Sequence, residues 1–342
     1  MNFNFPALPK AKTYGKQTTH EQDVLMKLVQ LAQITKTDEE TLLEAIEFYK
    51  KAFAYLKSID LSTIDDNNAD KIIAFLKTVF NMQLIIQNKI NFYDVFRVTA
   101  VKDAFMDNGK VRDTAFITYP PQKIIEALCV YGRCNSPKST VFYCSFEPGV
   151  AVLETKPQVG QRIIIAHWYN ENAKDFITYP ITNNKAIDND SLKLATKSFE
   201  ERKKYNHPLF AQIMDMYLDF LSSEFVKDIE IKNPKKYEYL FSAFFSDWIL
   251  ENKFAPIDYP VEPIKRYDCV IYPSIAIRHK SENLAITPAS VSRLRPIFLE
   301  DSIVVKTMYD NPDLSNNKLP IVREVLRKST KIEVNKITWS DD

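Results

Sequence analysis

The apolar residues of this chain change their spacing at Asn91, and that change sets what each part can fold into. Before it they recur every three to four residues, the period of a helix with one buried face. His20 to Gln33 carries Val24, Leu25, Leu28 and Leu31 on one side. Thr37 to Glu40 has the spacing of a capping box, in which each end residue satisfies a backbone N–H of the other. It opens a helix with Leu42, Ile46, Tyr49 and Phe53 at helical spacing. Asn67 to Lys89 repeats the pattern through Ile72, Leu76, Phe80 and Leu84, behind the polar stretch Asp65-Asp66-Asn67-Asn68. These patterns predict an all-α N-terminal region over residues 1–90. It carries no evident chemistry and reads as packing or partner surface.

Beyond Asn91 the pattern turns aromatic and β-branched, as strands require. Strands are expected at Phe92 to Val98, Thr140 to Cys144 and Arg162 to Trp168. Amphipathic helices are expected at Pro208 to Lys227 and Lys235 to Glu251, before strands at Cys269 to Tyr272, Asn283 to Ile286 and Ile303 to Met308. Strands on both sides of helices imply an α+β domain over 91–310 with a helical insertion at about 195–255. Residues 311–342 read as a C-terminal extension.

Composition narrows the function classes. Five glycines, with no G-x-G-x-x-G and no G-x-x-x-x-G-K-[ST], leave no Rossmann turn or P-loop. Lys and Arg total 45 against 44 Asp and Glu, interspersed as in Val226-Lys227-Asp228-Ile229-Glu230. No basic stripe points to nucleic acid or to acidic lipid. Cys129, Cys134, Cys144 and Cys269 form no Cys-x-x-Cys pair, so no metal site is expected. The opening MNFNFPALPKAKTYGK lacks a secretory apolar core, and no apolar run reaches the ~18 residues of a membrane span. The expectation is a reduced, cytoplasmic protein.

Four segments carry candidate chemistry. Phe96-Arg97-Val98 sets an arginine among bulky apolar neighbours, where it needs a partner unless it lies at an edge and reaches water. Gly132-Arg133-Cys134-Asn135-Ser136-Pro137 is a turn whose guanidinium could fork onto a phosphate or simply be solvated. Val141 to Cys144 precedes Pro148 to Glu154, a short helix that is apolar nearly all round. Glu154 then needs a partner or a raised pKa, unless it ends the helix in solvent or pairs with Lys156. Last come Tyr267 to Ser274 and Glu282 to Ile286. Ser274 has His279 nearby but no nucleophile elbow, so a hydrolase triad fits poorly. Ser274 and Asn283 suit a polar ligand better, the alternative being a serine that bonds its own backbone.

In their order these segments resemble the RES domain, a family named for its Arg, Glu and Ser. Its pattern runs from an aromatic-Arg strand to Gly-Arg-x-Asn-Pro, an aliphatic-Tyr strand, Ala-x-x-Glu, Ile-Tyr-x-Ser and Asn-Leu. Here these are Phe96-Arg97, Gly132 to Pro137, Phe142-Tyr143, Ala151 to Glu154, Ile271 to Ser274 and Asn283-Leu284, within a match from about Tyr93 to Pro296. The helices at Pro208 to Glu251 resemble an insertion of longer members. The turn departs from the pattern as Ser136-Pro137-Lys138-Ser139, with serine in place of the first of the usual two prolines and no following glycine, and Asp268-Cys269 replaces the usual Asp-Gly.

The resemblance implies an ADP-ribosyltransferase-like mixed sheet core and an enzyme that degrades NAD+, a glycohydrolase or phosphorylase, typically the toxin of a toxin–antitoxin pair. It implies Arg97 and Glu154 as the catalytic pair. Arg97, Arg133, Asn135, Tyr143, Ser274 and Asn283 would bind NAD+. NAD+ is then the substrate, and no cofactor or metal is required. An antitoxin encoded elsewhere and a second copy of the chain are the protein partners this reading allows. Two rivals remain: an ADP-ribosyltransferase acting on a macromolecule, and a non-catalytic protein that works through its N-terminal helices.

Overall fold

A computed structural model describes residues 39–80, 87–102, 106–129, 131–181, 190–204, 206–229, 235–251, 266–276, 281–307 and 321–341. The expected helix His20 to Gln33, the start of the capping box, Leu84 and His279 lie outside these residues. The chain is a mixed α+β fold built on one ten-stranded sheet.

Two helices come first, α1 (Glu39–Ser58) and α2 (Asp66–Val79). Leu42, Ile46, Tyr49 and Phe53 are all buried on α1, as their spacing requires. The polar stretch between the helices has a definite task. Asp65 caps α2, its carboxylate accepting from the Asn68 N–H at 2.8 Å. The helix expected to reach Lys89 instead ends at Val79, and Asn88–Ile90 is strand β1. Pairing of β1 with a later strand overrides local helical spacing there.

The strands that follow are β2 (Asp94–Ala100), β5 (Phe142–Ser145), β6 (Arg162–Asn170), β7 (Phe176–Pro180), β8 (Cys269–Pro273), β9 (Glu282–Ile286), β10 (Leu294–Thr307), β11 (Ile321–Glu333) and β12 (Lys336–Trp339). A two-stranded ribbon, β3 (Met106–Asp107) with β4 (Lys110–Val111), and helix α3 (Gln122–Leu128) lie between β2 and β5. The sheet order is β1-β7-β8-β9-β5-β2-β6-β10-β11-β12. Every pair in it is antiparallel except β7 with β8. A parallel pair needs a long crossover. The helical insertion supplies it, with α5 (Asp190–Lys203), α6 (Pro208–Phe225) and α7 (Leu240–Leu250) between those two strands. Helix α7 starts five residues later than the amphipathic pattern suggests, because Lys235 to Tyr239 form turns. The sheet also runs past the boundaries expected at 90 and 310, taking in β1 at one end and β11 and β12 at the other.

Packing joins the helices to the sheet. Phe53 stacks on Phe220 at 4.7 Å, and Phe80 meets Tyr217 at 5.0 Å, so α1 and α2 rest on α6. The same buried cluster continues through Phe245 and Tyr179 to Val270, Tyr272 and Ala285 on β8 and β9. A short helix α4 (Pro148–Thr155) packs Ala151, Val152 and Leu153 against Val98, Ile163 and Ile165 of β2 and β6. Fully buried Asp301 on β10 takes the Arg162 guanidinium, Nε donating to Oδ1 at 2.7 Å, and so ties β10 to β6. Among the described residues, no helix is long and apolar enough to cross a membrane.

Candidate functional site

The sheet opens between β2 and β5. All seven residues of β2 pair with β6 on one side, but on the other only Phe96 pairs, with Ser145. The next antiparallel pair would set Arg97 against Cys144, and it does not form. A cavity of about 440 Å³ occupies this region, a size typical of small-molecule sites. Its lining includes Arg97 from β2, Tyr143 and Ser145 from β5, Glu154 from α4 and Asn283 from β9.

Arg97 lies on an interior strand, so it is not an edge residue reaching water. Its Nη1 donates to the Tyr143 carbonyl at 2.9 Å, a group that β2 leaves unpaired. The guanidinium sits 5.3 Å from the Phe142 ring centre, and its Nε is buried with no acceptor among the described residues. Burial pulls it down to about 10, still a cation at neutral pH. No carboxylate of the described residues forms an ion pair with it. A buried cation in that state is suited to an anionic ligand.

Glu154 sits at the end of α4, which Pro148 opens at its first turn and Lys156 closes in the left-handed region at φ 41°. Glu154 does not pair with Lys156, which instead meets Asp228 at 2.8 Å. Nor does Ser274 bond its own backbone: its hydroxyl donates to Glu154 Oε1 at 2.5 Å. The Ala276 N–H approaches the same oxygen at 3.4 Å. Oε2 accepts no hydrogen bond among the described residues. One carboxylate oxygen is therefore held while the other is open to a ligand.

The turn serves structure more than ligand. Tyr143 Oη donates to Asn135 Oδ1 at 2.8 Å and accepts from the Cys134 N–H at 2.7 Å. That fixes the Tyr143 ring and places Asn135 behind it, outside the cavity lining. Gly132 is required by close approach: a Cβ there would lie 2.3 Å from Asn135 Oδ1 and 2.9 Å from Tyr143 Oη. Arg133 lines the cavity, yet its guanidinium donates to the Phe225 carbonyl, to the Lys227 carbonyl at 3.0 Å and to Tyr239 Oη at 3.0 Å. It closes the C-terminal end of α6 rather than waiting for a phosphate. The Ser139 hydroxyl, where the turn departs from the family pattern, donates to Asp247 on α7.

Asn283 and Ser145 face each other across β9 and β5. The Ser145 hydroxyl donates to Asn283 Oδ1, while Asn283 Nδ2 is buried with no acceptor among the described residues. Sequence reading missed Ser145, although its position two residues after Tyr143 puts it on the same strand face. It also missed Tyr131, Asp228 and Tyr239, which line the cavity from the turn and the insertion. Burial raises the Tyr143, Tyr239 and Tyr272 phenols, so all three stay protonated. No protein-family model matches the chain, and no curated protein or solved structure matches it either.

Proposed function

We propose that this chain is an NAD+-cleaving glycosidase of the RES-domain kind, built on an ADP-ribosyltransferase-like core. The observation that carries the reading is convergence. Arg97, Arg133, Tyr143, Glu154 and Asn283 come from segments far apart in sequence and line one cavity. Ser274 reaches it through Glu154, and Asn135 through Tyr143.

In this reading the bond between the ribose C1″ and the nicotinamide nitrogen breaks, and its electron pair leaves with nicotinamide. Nicotinamide departs neutral, so no strong general acid is needed. The sugar passes through an oxocarbenium-like state. Glu154 stabilises that charge and accepts a hydrogen bond from a ribose hydroxyl at Oε2, while Ser274 and the Ala276 N–H steady Oε1. Arg97 holds the diphosphate. Tyr143 forms a fixed wall for the ribose or the base, and Asn283 offers a donor. Water adds through its oxygen to C1″ and releases one proton, giving ADP-ribose. In a phosphorylase, inorganic phosphate takes the place of water. In a cell the activity would drain cytoplasmic NAD+, a toxic effect that an antitoxin would restrain.

Mass analysis of the products after incubation with NAD+ identifies the acceptor. ADP-ribose means water, its phosphorylated form means phosphate, and a labelled macromolecule means transfer. Glu154→Gln should lower NAD+ turnover by roughly a hundredfold or more while leaving the melting temperature within a few degrees. Wild-type turnover in that variant would remove the reading.

A further inference from the structure

The Ser145–Asn283 pair lines the cavity and has a feature that core packing does not require. An asparagine amide presents an acceptor at one end and a donor at the other. Asn283 is only 4% exposed, and Ser145 only 2%. The Ser145 hydroxyl engages the acceptor end, Oδ1. The donor end, Nδ2, has no acceptor among the described residues and belongs to a residue that lines the cavity. A buried amide donor without a partner costs on the order of 1–3 kcal/mol, so a ligand that supplies an acceptor gains by meeting it.

The register gives this donor an address. The Ser274 N–H bonds the Ser281 carbonyl at 2.8 Å, and Tyr272 pairs with Asn283. Asn283 is therefore two residues along from the point where Ser274 holds Glu154, about 7 Å at the rise of a strand. That is comparable to the separation between a ribose hydroxyl and a substituent on a base joined to the same ribose.

We infer that Ser145 is a positioning residue: it holds the Asn283 amide so that Nδ2 faces the cavity and donates to the carboxamide oxygen of the base. The inference rests on the NAD+ reading above and names which part of the substrate this end of the cavity reads.

The test compares a ligand that has the carboxamide with one that lacks it. Steady-state kinetics with NAD+ and calorimetric binding of ADP-ribose are measured for wild type, Ser145→Ala and Asn283→Asp. Asn283→Asp keeps an acceptor for Ser145 and puts a carboxyl oxygen where the donor stood, so it tests the idea even where Ser145→Ala folds poorly. Both variants should raise KM for NAD+ roughly tenfold or more, the loss of one buried hydrogen bond. Both should change kcat less than KM and leave ADP-ribose affinity within about twofold of wild type. Ser145→Thr, which keeps the hydroxyl, should restore the wild-type KM. Unchanged KM in both variants, or equal weakening of NAD+ and ADP-ribose, would overturn the inference and leave the NAD+ reading standing. A wild-type chain that consumes no NAD+ removes both.

Discussion

The two walls of the cavity are built from similar residue types and treat them in opposite ways. On the sheet wall, completed by α4, Arg97, Glu154 and Asn283 each keep a polar atom with no partner among the described residues: a buried Nε, the second carboxylate oxygen and an amide nitrogen. On the helical wall, made by the turn and the insertion, Arg133 is engaged by two carbonyls and a tyrosine, and Asp228 by Lys156 from the end of α4. Arg97 and Arg133 thus have the same guanidinium in the same cavity, but among the described residues Arg133 gives three of its five N–H donors to the protein and Arg97 only one. A buried polar group left unpartnered by the protein is costly. Two of them, beside the unengaged second oxygen of half-buried Glu154, mark that wall as the ligand-facing one, whereas the helical wall serves shape.

The sharpest way to break this division is to exchange the arginines' fates. Arg97→Ala removes a buried charge that would meet the diphosphate, and should weaken NAD+ binding by about 2 kcal/mol or more. That is on the order of thirtyfold in Kd. It also leaves the Tyr143 carbonyl without its donor, so a drop in melting temperature accompanies the loss. Calorimetric titration at fixed salt reads the affinity directly. Wild-type affinity in Arg97→Ala would mean that the sheet wall does not face the diphosphate.

Arg133→Ala should show the reverse balance. It frees the Phe225 and Lys227 carbonyls at the end of α6 and removes a guanidinium lying 4.8 Å from the Tyr239 ring centre. The expected cost is about 1–3 kcal/mol of stability, read as a lower midpoint in urea with an unchanged slope. NAD+ affinity should fall less than in Arg97→Ala. If affinity falls more while stability holds, Arg133 is a ligand residue and the two walls share the binding.

The difference between the walls also explains what sequence could reveal. Arg97 and Glu154 announce themselves because an arginine between apolar strand residues, or a carboxylate ending an apolar helix, needs a reason, whereas Ser274 and Asn283 read only as polar-ligand candidates and Tyr143 enters through the resemblance alone. The helical wall has no such signature. The partners of Arg133 are backbone carbonyls, present at every position, and Tyr239 and Asp228 sit in an insertion whose placement follows from tertiary packing. The fold divides similarly. Helix α1 was legible because Leu42, Ile46, Tyr49 and Phe53 bury one face. Strand β11 was not: Val322, Val325 and Leu326 are exposed among charged neighbours, and the strand is held by backbone pairing with β10 and β12. The helix expected to reach Lys89 fails for the same reason, since strand pairing with β7 is a long-range fact.

The smallest expected effect is the most informative about the boundary between the walls. Lys156 and Asp228 both line the cavity, and their 2.8 Å ion pair joins the end of α4 to the segment after α6. Their side chains are 36% and 68% exposed, so solvent screens the pair. Exposed pairs of this kind contribute about 0–1 kcal/mol. Lys156→Ala should therefore shift stability by no more than that and leave KM for NAD+ within about twofold. Lys156→Gly separates the pair from the backbone. Lys156 holds φ at 41°, where glycine avoids the strain of a side chain. Both variants lose the pair, and only glycine escapes the roughly 1–2 kcal/mol that a left-handed side chain costs, so the glycine variant should melt at or above the alanine one. A KM that rises tenfold in both variants, with melting unchanged, would place a ligand group against Lys156. The helical side would then bind as well as shape, and the division drawn from Arg97 and Arg133 would hold only for the depth of the cavity and not for its rim.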